Sequence, residues 1–206
     1  MSLMLKSKKI KKDFLIALLI AFIIILSSFN YYLYSTSFHS SLIRKYSGNP
    51  SHLEIDRNVT RYITGFSSEL NVNFNEKEKS HMADVRRLII LEQLLFVFLM
   101  VWLFVLIKKR KINYSHLKKS ALIVFLITLL SLIASLFFDS FFELFHIILF
   151  PQGNWQFNAG SLMIQTYRQS FFREFFIRFI MVAFIFSLLL VLLIKIIEKK
   201  LIINSK

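Results

Sequence analysis

The sequence predicts an all-α integral membrane protein with four transmembrane helices and a small extracytoplasmic cap of helices and loops. Its 206 residues are 56% hydrophobic, whereas an ordinary soluble domain is about 45–50% apolar. Four apolar segments approach the roughly 20 residues that cross a bilayer as a helix. The chain has only 4 glycines and 2 prolines, so we expect no disordered linker and treat residues 1–206 as a single membrane domain.

The first apolar segment is the least regular of the four. Its purest part, Phe14–Leu26, also has the length of a signal-peptide core behind a basic start. We predict a retained span, because the aromatic stretch Phe29–Tyr34 is typical of a membrane interface. The predicted spans cover residues 14–34, 88–107, 121–138 and 177–197.

Basic residues are concentrated on one side of this arrangement. Most of the lysines lie in residues 1–13, 108–120 and 198–206, and the positive-inside rule places such segments in the cytoplasm. Residues 35–87 and 139–176 then lie on the extracytoplasmic face. This topology accounts for the net charge of +14 through contacts with anionic membrane phospholipid, without a nucleic acid partner.

Several classes of chemistry lack their sequence signals. The chain has no cysteine, which excludes thiol catalysis, disulfides and cysteine-based zinc sites. It contains no Gly-x-Ser-x-Gly elbow and no His-Glu-x-x-His helix. A serine hydrolase and a zinc protease are therefore unsupported by motif.

The first extracytoplasmic region leads into the second span. The spacing of apolar residues predicts an amphipathic helix over Ser51–Phe66, with Ser51 and Glu54 as a capping box. A second helix is predicted from the cap residue Asn75, with Glu78 as its third residue, to Ile107. At about 48 Å it exceeds the roughly 30 Å hydrocarbon core, so its first turns project outward. His81 then lies about 10 Å above Leu88, at the depth of glycerolipid ester bonds.

Two stripes of ionisable side chains mark the outer helix ends. His81 and Asp84 are three residues apart, so they share a helical face and the carboxylate could orient the imidazole. Asp139, Glu143 and His146 form a second such stripe, followed by a turn over Pro151–Gly153 and by Asn154 and Trp155. Each stripe is also compatible with a solvated helix end, and the two stripes together could converge on a metal ion.

Other polar residues are given structural roles. Glu92 and Arg178 lie inside the predicted spans at similar depth, so they are expected to pair or to line one polar pocket, although Arg178 could snorkel alone. His39 and His52 are expected at the surface, and His116 among lipid headgroups. Ser170 is expected to cap the last helix.

Three blocks of the sequence form a further pattern: His81–Arg86, Phe145–Phe157 and Leu162–Tyr167 with Phe171-Phe172. In this order they resemble the lipoprotein intramolecular transacylase (Lit) family of Gram-positive bacteria. The length and the four-span layout are similar too, so the resemblance covers nearly the whole chain. Arg86 stands where a lysine is common, and Arg168-Gln169 replaces a more usual Pro-Glu.

The resemblance implies a multi-pass enzyme of the bacterial cytoplasmic membrane, with an extracytoplasmic active site and no cofactor. Its substrate would be a diacylated lipoprotein, whose sn-2 acyl chain moves to the α-amine of the N-terminal cysteine and leaves a lyso-form lipoprotein. His81 is the expected base, Asp84 its orienting group and His146 a second proton-transfer group. Phe171, Phe172, Phe175 and Phe176 would guide acyl chains. The expected substrate-binding or oxyanion residues are Arg86, Arg87, Asp139, Glu143, Asn154, Trp155 and Tyr167.

Two other functions remain open at this stage. One is a metal-dependent lipid hydrolase at the outer leaflet. The other is a non-enzymatic membrane subunit or carrier, which the ionisable residues Glu92 and Arg178 favour. The distance between His81 and His146 decides between these interpretations. A short distance indicates one site that contains both histidines, and a long distance indicates two unrelated helix ends. The accepted lipoproteins, the division of roles between the histidines and the oligomeric state are left open.

Overall fold

A computed structural model describes residues 2–204, and describes side chains at positions 10–196 and 198. Within this described range the chain is helical and contains no β-strand. A 3₁₀ turn at Ser135–Phe137 joins the fifth and sixth helices. The helices are α1 (Ser2–Leu33), α2 (Thr36–Tyr46), α3 (His52–Ile63), α4 (Glu76–Lys108), α5 (Tyr114–Ala134), α6 (Phe138–Leu149), α7 (Leu162–Thr166) and α8 (Gln169–Asn204).

Four helical segments are long and apolar enough to cross a membrane: Ile10–Leu33, Glu76–Lys108, Tyr114–Leu149 and Gln169–Ile196. The predicted fold class is therefore confirmed. Helix α4 has 33 residues, close to the predicted length, and extends about 50 Å. Its first turns, Glu76–Arg87, precede the apolar stretch predicted as the span.

The chain forms two compact units, and the first comprises residues 1–29, 96–132 and 179–206. In it, buried leucines and isoleucines of α1 pack against Leu99 and Leu106 of α4. Ala21, Val124 and Ala183 are fully buried together and come from α1, α5 and α8. The two alanines are small residues of the kind that lets membrane helices approach closely and gain packing contacts.

In this unit, His116 forms hydrogen bonds with Asn113 at the N-terminal end of α5. Asn113 N donates to His116 Nδ1 at 3.1 Å, and His116 N donates to Asn113 Oδ1 at 3.2 Å. His116 Nε2 lies 3.1 Å from Asp13 Oδ1 of α1. The expectation of a headgroup-facing His116 is wrong, because a carboxylate distant in sequence gives the buried ring a partner.

The second unit comprises residues 30–95 and 133–178. Its core is formed by α2, α3, the start of α4, α7 and the start of α8. Helix α2 carries no strong sequence signal and was not expected. Helix α3 is shorter than predicted, and Ser51 does not cap it, because the Ser51 backbone is itself helical and its hydroxyl bonds to Asn49. The buried core residues are Leu42, Ile43, Val59, Phe74, Met82, Met163, Tyr167 and Phe171.

The predicted cap of α4 is confirmed and extends further than expected. Glu78 N donates to Asn75 Oδ1 at 3.0 Å, and Asn75 N donates to Glu78 Oε2 at 2.8 Å. The other Glu78 oxygen, Oε1, accepts a hydrogen bond of 2.8 Å from Met163 N. The Glu78 side chain thus fixes the start of α4 to α7, less than one turn before His81.

His39 and His52 are buried, so their predicted surface position is wrong. His39 Nδ1 lies 3.1 Å from Asp56 Oδ1 of α3, and the Tyr167 hydroxyl donates to the same oxygen at 3.1 Å. His52 Nδ1 is hydrogen-bonded to the Ser47 hydroxyl. These partners come from other elements, which a search for acids at helical spacing does not detect.

Glu92 and Arg178 do not form an ion pair, so the first of the two predicted arrangements is wrong. Asn30 Nδ2 donates to Glu92 Oε1 at 2.8 Å, whereas Arg178 Nη2 donates to Glu174 Oε1 at 3.2 Å. Similar depth in the predicted spans is therefore insufficient to predict pairing. The Ser170 cap is also wrong, because α8 begins one residue earlier, at Gln169.

Candidate active site

Two histidines from distant parts of the chain meet in the second unit. The rings of His81 on α4 and His146 on α6 lie 5.9 Å apart between centroids and are stacked at an angle of 28°. Both residues are buried, at 6% and 8% exposure. The separation is shorter than a lipid headgroup, so the two imidazoles can act on the same molecule.

Aromatic rings enclose this pair. Phe150 and Phe157 lie 4.6 and 5.6 Å from the His81 ring, and Trp155 lies 4.9 Å from the His146 ring. Phe150 sits where the chain turns, since Gly153 N donates to Phe150 O at 3.0 Å and Gly153 has a φ of +72°. The predicted turn over Pro151–Gly153 is thus confirmed, and it brings Asn154 and Trp155 to the histidines.

His146 is oriented by its own helix. Its Nδ1 lies 2.7 Å from the carbonyl oxygen of Phe142, one turn earlier. Because a carbonyl only accepts, Nδ1 carries the proton and Nε2 keeps a lone pair. The expected orienting carboxylates are elsewhere: Asp139 accepts a hydrogen bond from Gln169 Nε2 at 3.2 Å, and Glu143 is exposed.

His81 lies next to a network of polar side chains around Asn154. Its Nδ1 is buried and has no hydrogen-bond partner among the described residues, whereas the Asn154 side chain raises the pKa of the imidazole through hydrogen bonding. Asn154 Nδ2 donates to Asp84 Oδ2 at 2.7 Å and to Ser80 Oγ at 3.2 Å. Asn154 Oδ1 accepts from Gln152 Nε2 at 3.3 Å.

Asp84 does not contact His81 directly, so the expected direct pairing is wrong. Its Oδ1 accepts from Arg87 Nη1 at 2.6 Å, as the i+3 spacing also allows. Its Oδ2 accepts from Gln152 Nε2 at 2.6 Å and from Asn154 at 2.7 Å. Asp84 is thus hydrogen-bonded to Asn154, and both side chains raise the pKa of His81. Gln152 was missed, although its place in the turn before Asn154 was a usable signal.

Both histidines lie outside the predicted spans, in an environment that disfavours positive charge. Burial and the neighbouring His146 lower the pKa of His81 from 6.5 to about 4, while Asn154 and Asp84 act in the opposite direction. Burial also lowers the pKa of His146, opposed by its bond to the Phe142 carbonyl. Both rings are therefore neutral at pH 7, with a free lone pair on each.

Two of the expected oxyanion donors are used elsewhere. Arg86 Nη1 donates to the carbonyl oxygens of Tyr62 and Ser67, and its guanidinium lies 4.6 Å from the Tyr62 ring. The Tyr167 hydroxyl is buried on Asp56, and burial together with that carboxylate raises the pKa of Tyr167 well above 10.0.

The remaining sequence-predicted residues differ in their exposure. Phe171 is buried in the core, whereas Phe172 is 37% exposed. Arg87 is bonded to Asp84, but its side chain is 75% exposed.

Among the described residues, no group of three or more His, Cys, Asp or Glu side chains is placed to hold a metal ion. The metal site considered for the two stripes is therefore not formed.

Comparisons with known proteins agree with this architecture. Residues 10–172 match the family model of lipoprotein intramolecular transacylase Lit. The fold is similar to the membrane-integral Lit of Bacillus cereus, with 18% identity, a TM-score of 0.77 and coverage of 92% of this chain and 97% of that chain. No curated protein sequence matches.

Two variants of the Bacillus cereus protein are also similar in fold. One has a histidine replaced by arginine, with 20% identity, a TM-score of 0.66 and coverage of 99% of this chain and 100% of that chain. The other has a histidine replaced by alanine, with 18% identity, a TM-score of 0.73 and coverage of 97% and 98%. The family match spans both site histidines and most of the chain, so the protein belongs to the lipoprotein intramolecular transacylase (Lit) family.

Proposed function

We propose that this enzyme moves the sn-2 acyl chain of a diacylglyceryl lipoprotein to the α-amine of its N-terminal cysteine. The product is an N-acyl, S-monoacylglyceryl lyso-form lipoprotein. The family name supports a transacylase that acts on lipoproteins. The observation that carries the finer reaction is the pair of buried imidazoles, 5.9 Å apart. We place the site on the extracytoplasmic face of the cytoplasmic membrane, from the charge distribution of the loops.

The proton balance of this reaction explains why two neutral imidazoles are useful. An α-amine has a pKa of about 8, so most of the substrate enters as an ammonium ion. Two protons must leave that nitrogen, because the amide product keeps only one of the original three. The glycerol oxygen takes up one proton when its ester bond breaks, and the other is released to solvent. The net reaction therefore releases one proton and needs no cofactor.

The hydrogen bonds around each ring suggest the division of work. His81 Nδ1 accepts the proton of the attacking amine, and the resulting positive charge is stabilised through Asn154 by the Asp84 carboxylate. His146, whose proton is fixed on Nδ1 by the Phe142 carbonyl, presents Nε2 as the second proton carrier, toward the glycerol oxygen. Because the amine and the ester belong to one molecule, correct positioning can supply about 7–11 kcal/mol of the barrier reduction at most.

The oxyanion of the tetrahedral intermediate needs hydrogen-bond donors close to the histidines. Asn154 is a poor candidate, since its Nδ2 already donates to Asp84 and Ser80. We assign this role to the indole N–H of Trp155, which packs against His146, and to Arg87, whose exposed guanidinium uses one donor on Asp84.

The proposal is tested by locating the acyl chains on a reporter lipoprotein. The chain is expressed in cells that make diacyl lipoproteins, and the N-terminal lipopeptide is analysed by fragmentation mass spectrometry. Transacylation is an isomerisation, so we expect an unchanged intact mass with one acyl chain relocated from glycerol to nitrogen. His81→Ala and His146→Ala should abolish the relocation, whereas Glu76→Ala, an exposed residue of the same helix α4, should not.

The alternatives give different products in the same experiment. A metal-dependent lipid hydrolase would lower the intact mass by one acyl chain and would stop when a chelator is added to the purified protein. A non-enzymatic subunit or carrier would leave both acyl chains on glycerol. Either result, obtained while the protein is made and inserted, rejects the transacylase proposal for this chain. Full activity of His81→Ala would reject His81 as the base.

A further inference from the structure

A second polar cluster lies in the same unit, around Glu174 near the start of α8. Lys45 Nζ donates to Glu174 Oε2 at 2.5 Å, and the Tyr46 hydroxyl donates to the same oxygen at 2.6 Å. Arg178 Nη2 donates to the other oxygen, Oε1, at 3.2 Å. We call Lys45, Tyr46, Glu174 and Arg178 the Glu174 cluster.

The Glu174 cluster carries an unbalanced positive charge. It contains two cations and one carboxylate, and these sum to +1. The carboxylate is the shielded member, with 18% exposure of its side chain, whereas the Lys45 and Arg178 side chains are 57% and 58% exposed. An ammonium has three donors and a guanidinium has five. Donors therefore remain on both cations, and they are accessible from outside the protein.

The position of the cluster along α8 corresponds to a membrane boundary. Arg178 is directly followed by Phe179–Ile194, a stretch without any charged residue. Next to Glu174, the Phe175 ring lies 6.5 Å from Tyr32 and 6.0 Å from Phe38. Charged side chains at the end of an apolar helix and neighbouring aromatic rings are typical of the headgroup level.

We propose that the Glu174 cluster binds the phosphodiester group of an anionic membrane phospholipid. Such a diester has one negative charge, which neutralises the +1 of the cluster. Lys45 and Arg178 are attached to the two oxygens of one carboxylate, so Glu174 holds them side by side. Each can donate to one of the two non-esterified phosphate oxygens, an interaction for which both side chains are well suited. This inference does not depend on the transacylase reaction.

The competing explanation is that the cluster only ties α2 to α8. The two explanations differ in their response to lipid headgroups. The purified full-length chain in neutral detergent is titrated with dioleoylphosphatidylglycerol or with dioleoylphosphatidylcholine, and the bound lipid is counted by native mass spectrometry. We expect tighter binding of the phosphatidylglycerol, because only this lipid has a net negative charge.

Charge-matched variants locate the binding. Each cation near a lipid surface is worth about a fivefold change in affinity, so K45Q/R178Q should bind phosphatidylglycerol roughly 30-fold more weakly. The control R44Q/R173Q removes the same charge from exposed neighbours on the same two helices. It should weaken binding clearly less than K45Q/R178Q, because Glu174 holds Lys45 and Arg178 side by side. The variant K45R/R178K keeps both charges and should retain the preference for phosphatidylglycerol.

Three results would overturn the inference. The wild-type chain could bind the two lipids equally well. K45Q/R178Q could keep the preference for phosphatidylglycerol, or R44Q/R173Q could lose as much affinity as K45Q/R178Q, which would mean that only total charge matters. If K45Q/R178Q does not fold, K45R/R178K decides the question, since its loss of the preference would equally reject the site.

Discussion

Glu78→Gln is expected to destabilise the fold, because the Glu78 carboxylate is almost completely buried and accepts two backbone hydrogen bonds. Its oxygens lie 2.8 Å from Asn75 N and 2.8 Å from Met163 N, and the residue is 1% exposed. Glutamine offers one acceptor and one NH₂ donor in their place. One of the two backbone N–H groups then faces a donor and stays unpaired, and the other loses a charged acceptor.

The expected loss of folding stability follows from the unpaired N–H group and from the loss of the charged acceptor. An unsatisfied buried donor costs about 1–3 kcal/mol, and replacing a charged acceptor by a neutral one costs about 1 kcal/mol more. The total of roughly 3 kcal/mol corresponds to a fall in melting temperature of about 6–12 °C for a chain of this size. Activity should fall too, since Glu78 fixes the turn of α4 that carries His81.

Thermal unfolding in detergent, followed by the fluorescence of Trp102 and Trp155, measures this effect. The control is Glu76→Gln, which removes the same charge from the same helical turn. The Glu76 side chain is 92% exposed and forms an ion pair with Lys79, so its loss should lower the melting temperature by less than about 3 °C. Equal shifts for Glu78→Gln and Glu76→Gln would show that the buried carboxylate does not hold α4 and α7 together.

Three further predictions concern the site and its support. Asn154→Ala should lower kcat/KM about tenfold to a hundredfold, since it removes the link between Asp84 and His81 but not the base itself; an unchanged kcat/KM would show that the link is not used. Because the pKa of His81 is lowered to about 4, the base stays neutral between pH 5 and 7, and only the substrate amine titrates. A plot of log(kcat/KM) against pH should therefore rise over this range with a slope of about 1. A slope near 2 in the same assay would indicate a histidine with an ordinary pKa. Arg86→Gln should lower stability by about 2 kcal/mol and leave the specific activity of the folded fraction intact, while Arg61→Gln, an exposed residue of α3, should change neither.

Much of the fold could be predicted because its determinants are local. Helix α4 is specified by an uninterrupted apolar stretch and by the Asn75 cap with Glu78 three residues later, and both are visible in the sequence. The turn over Pro151–Gly153 follows from the residue types alone. Ser51 shows the limit of this reasoning, since it has the same capping signal as Asn75 but already lies inside a helical backbone.

The contacts of the site depend on the tertiary structure and could not be predicted in detail. Helical spacing drew attention to His81 and His146, which the structure brings within 5.9 Å of each other, but it assigned each to a carboxylate on its own helix. In the structure a backbone carbonyl orients His146, and Asp84 meets Arg87 and two amides from a distant turn. A carboxylate with several donors within reach is shared among them, and sequence spacing does not rank those donors.

The short distance between the two histidines limits how much positive charge the two imidazole rings can carry at the same time. Two positive charges 5.9 Å apart repel each other by about 3 kcal/mol at an effective dielectric constant of 20, which corresponds to about two pKa units. The pair therefore titrates as a single base, and double protonation is strongly disfavoured. If His81 and His146 act together on an ammonium substrate, the first proton must leave before the second is accepted. Deprotonation of the amine and acyl transfer are then successive steps.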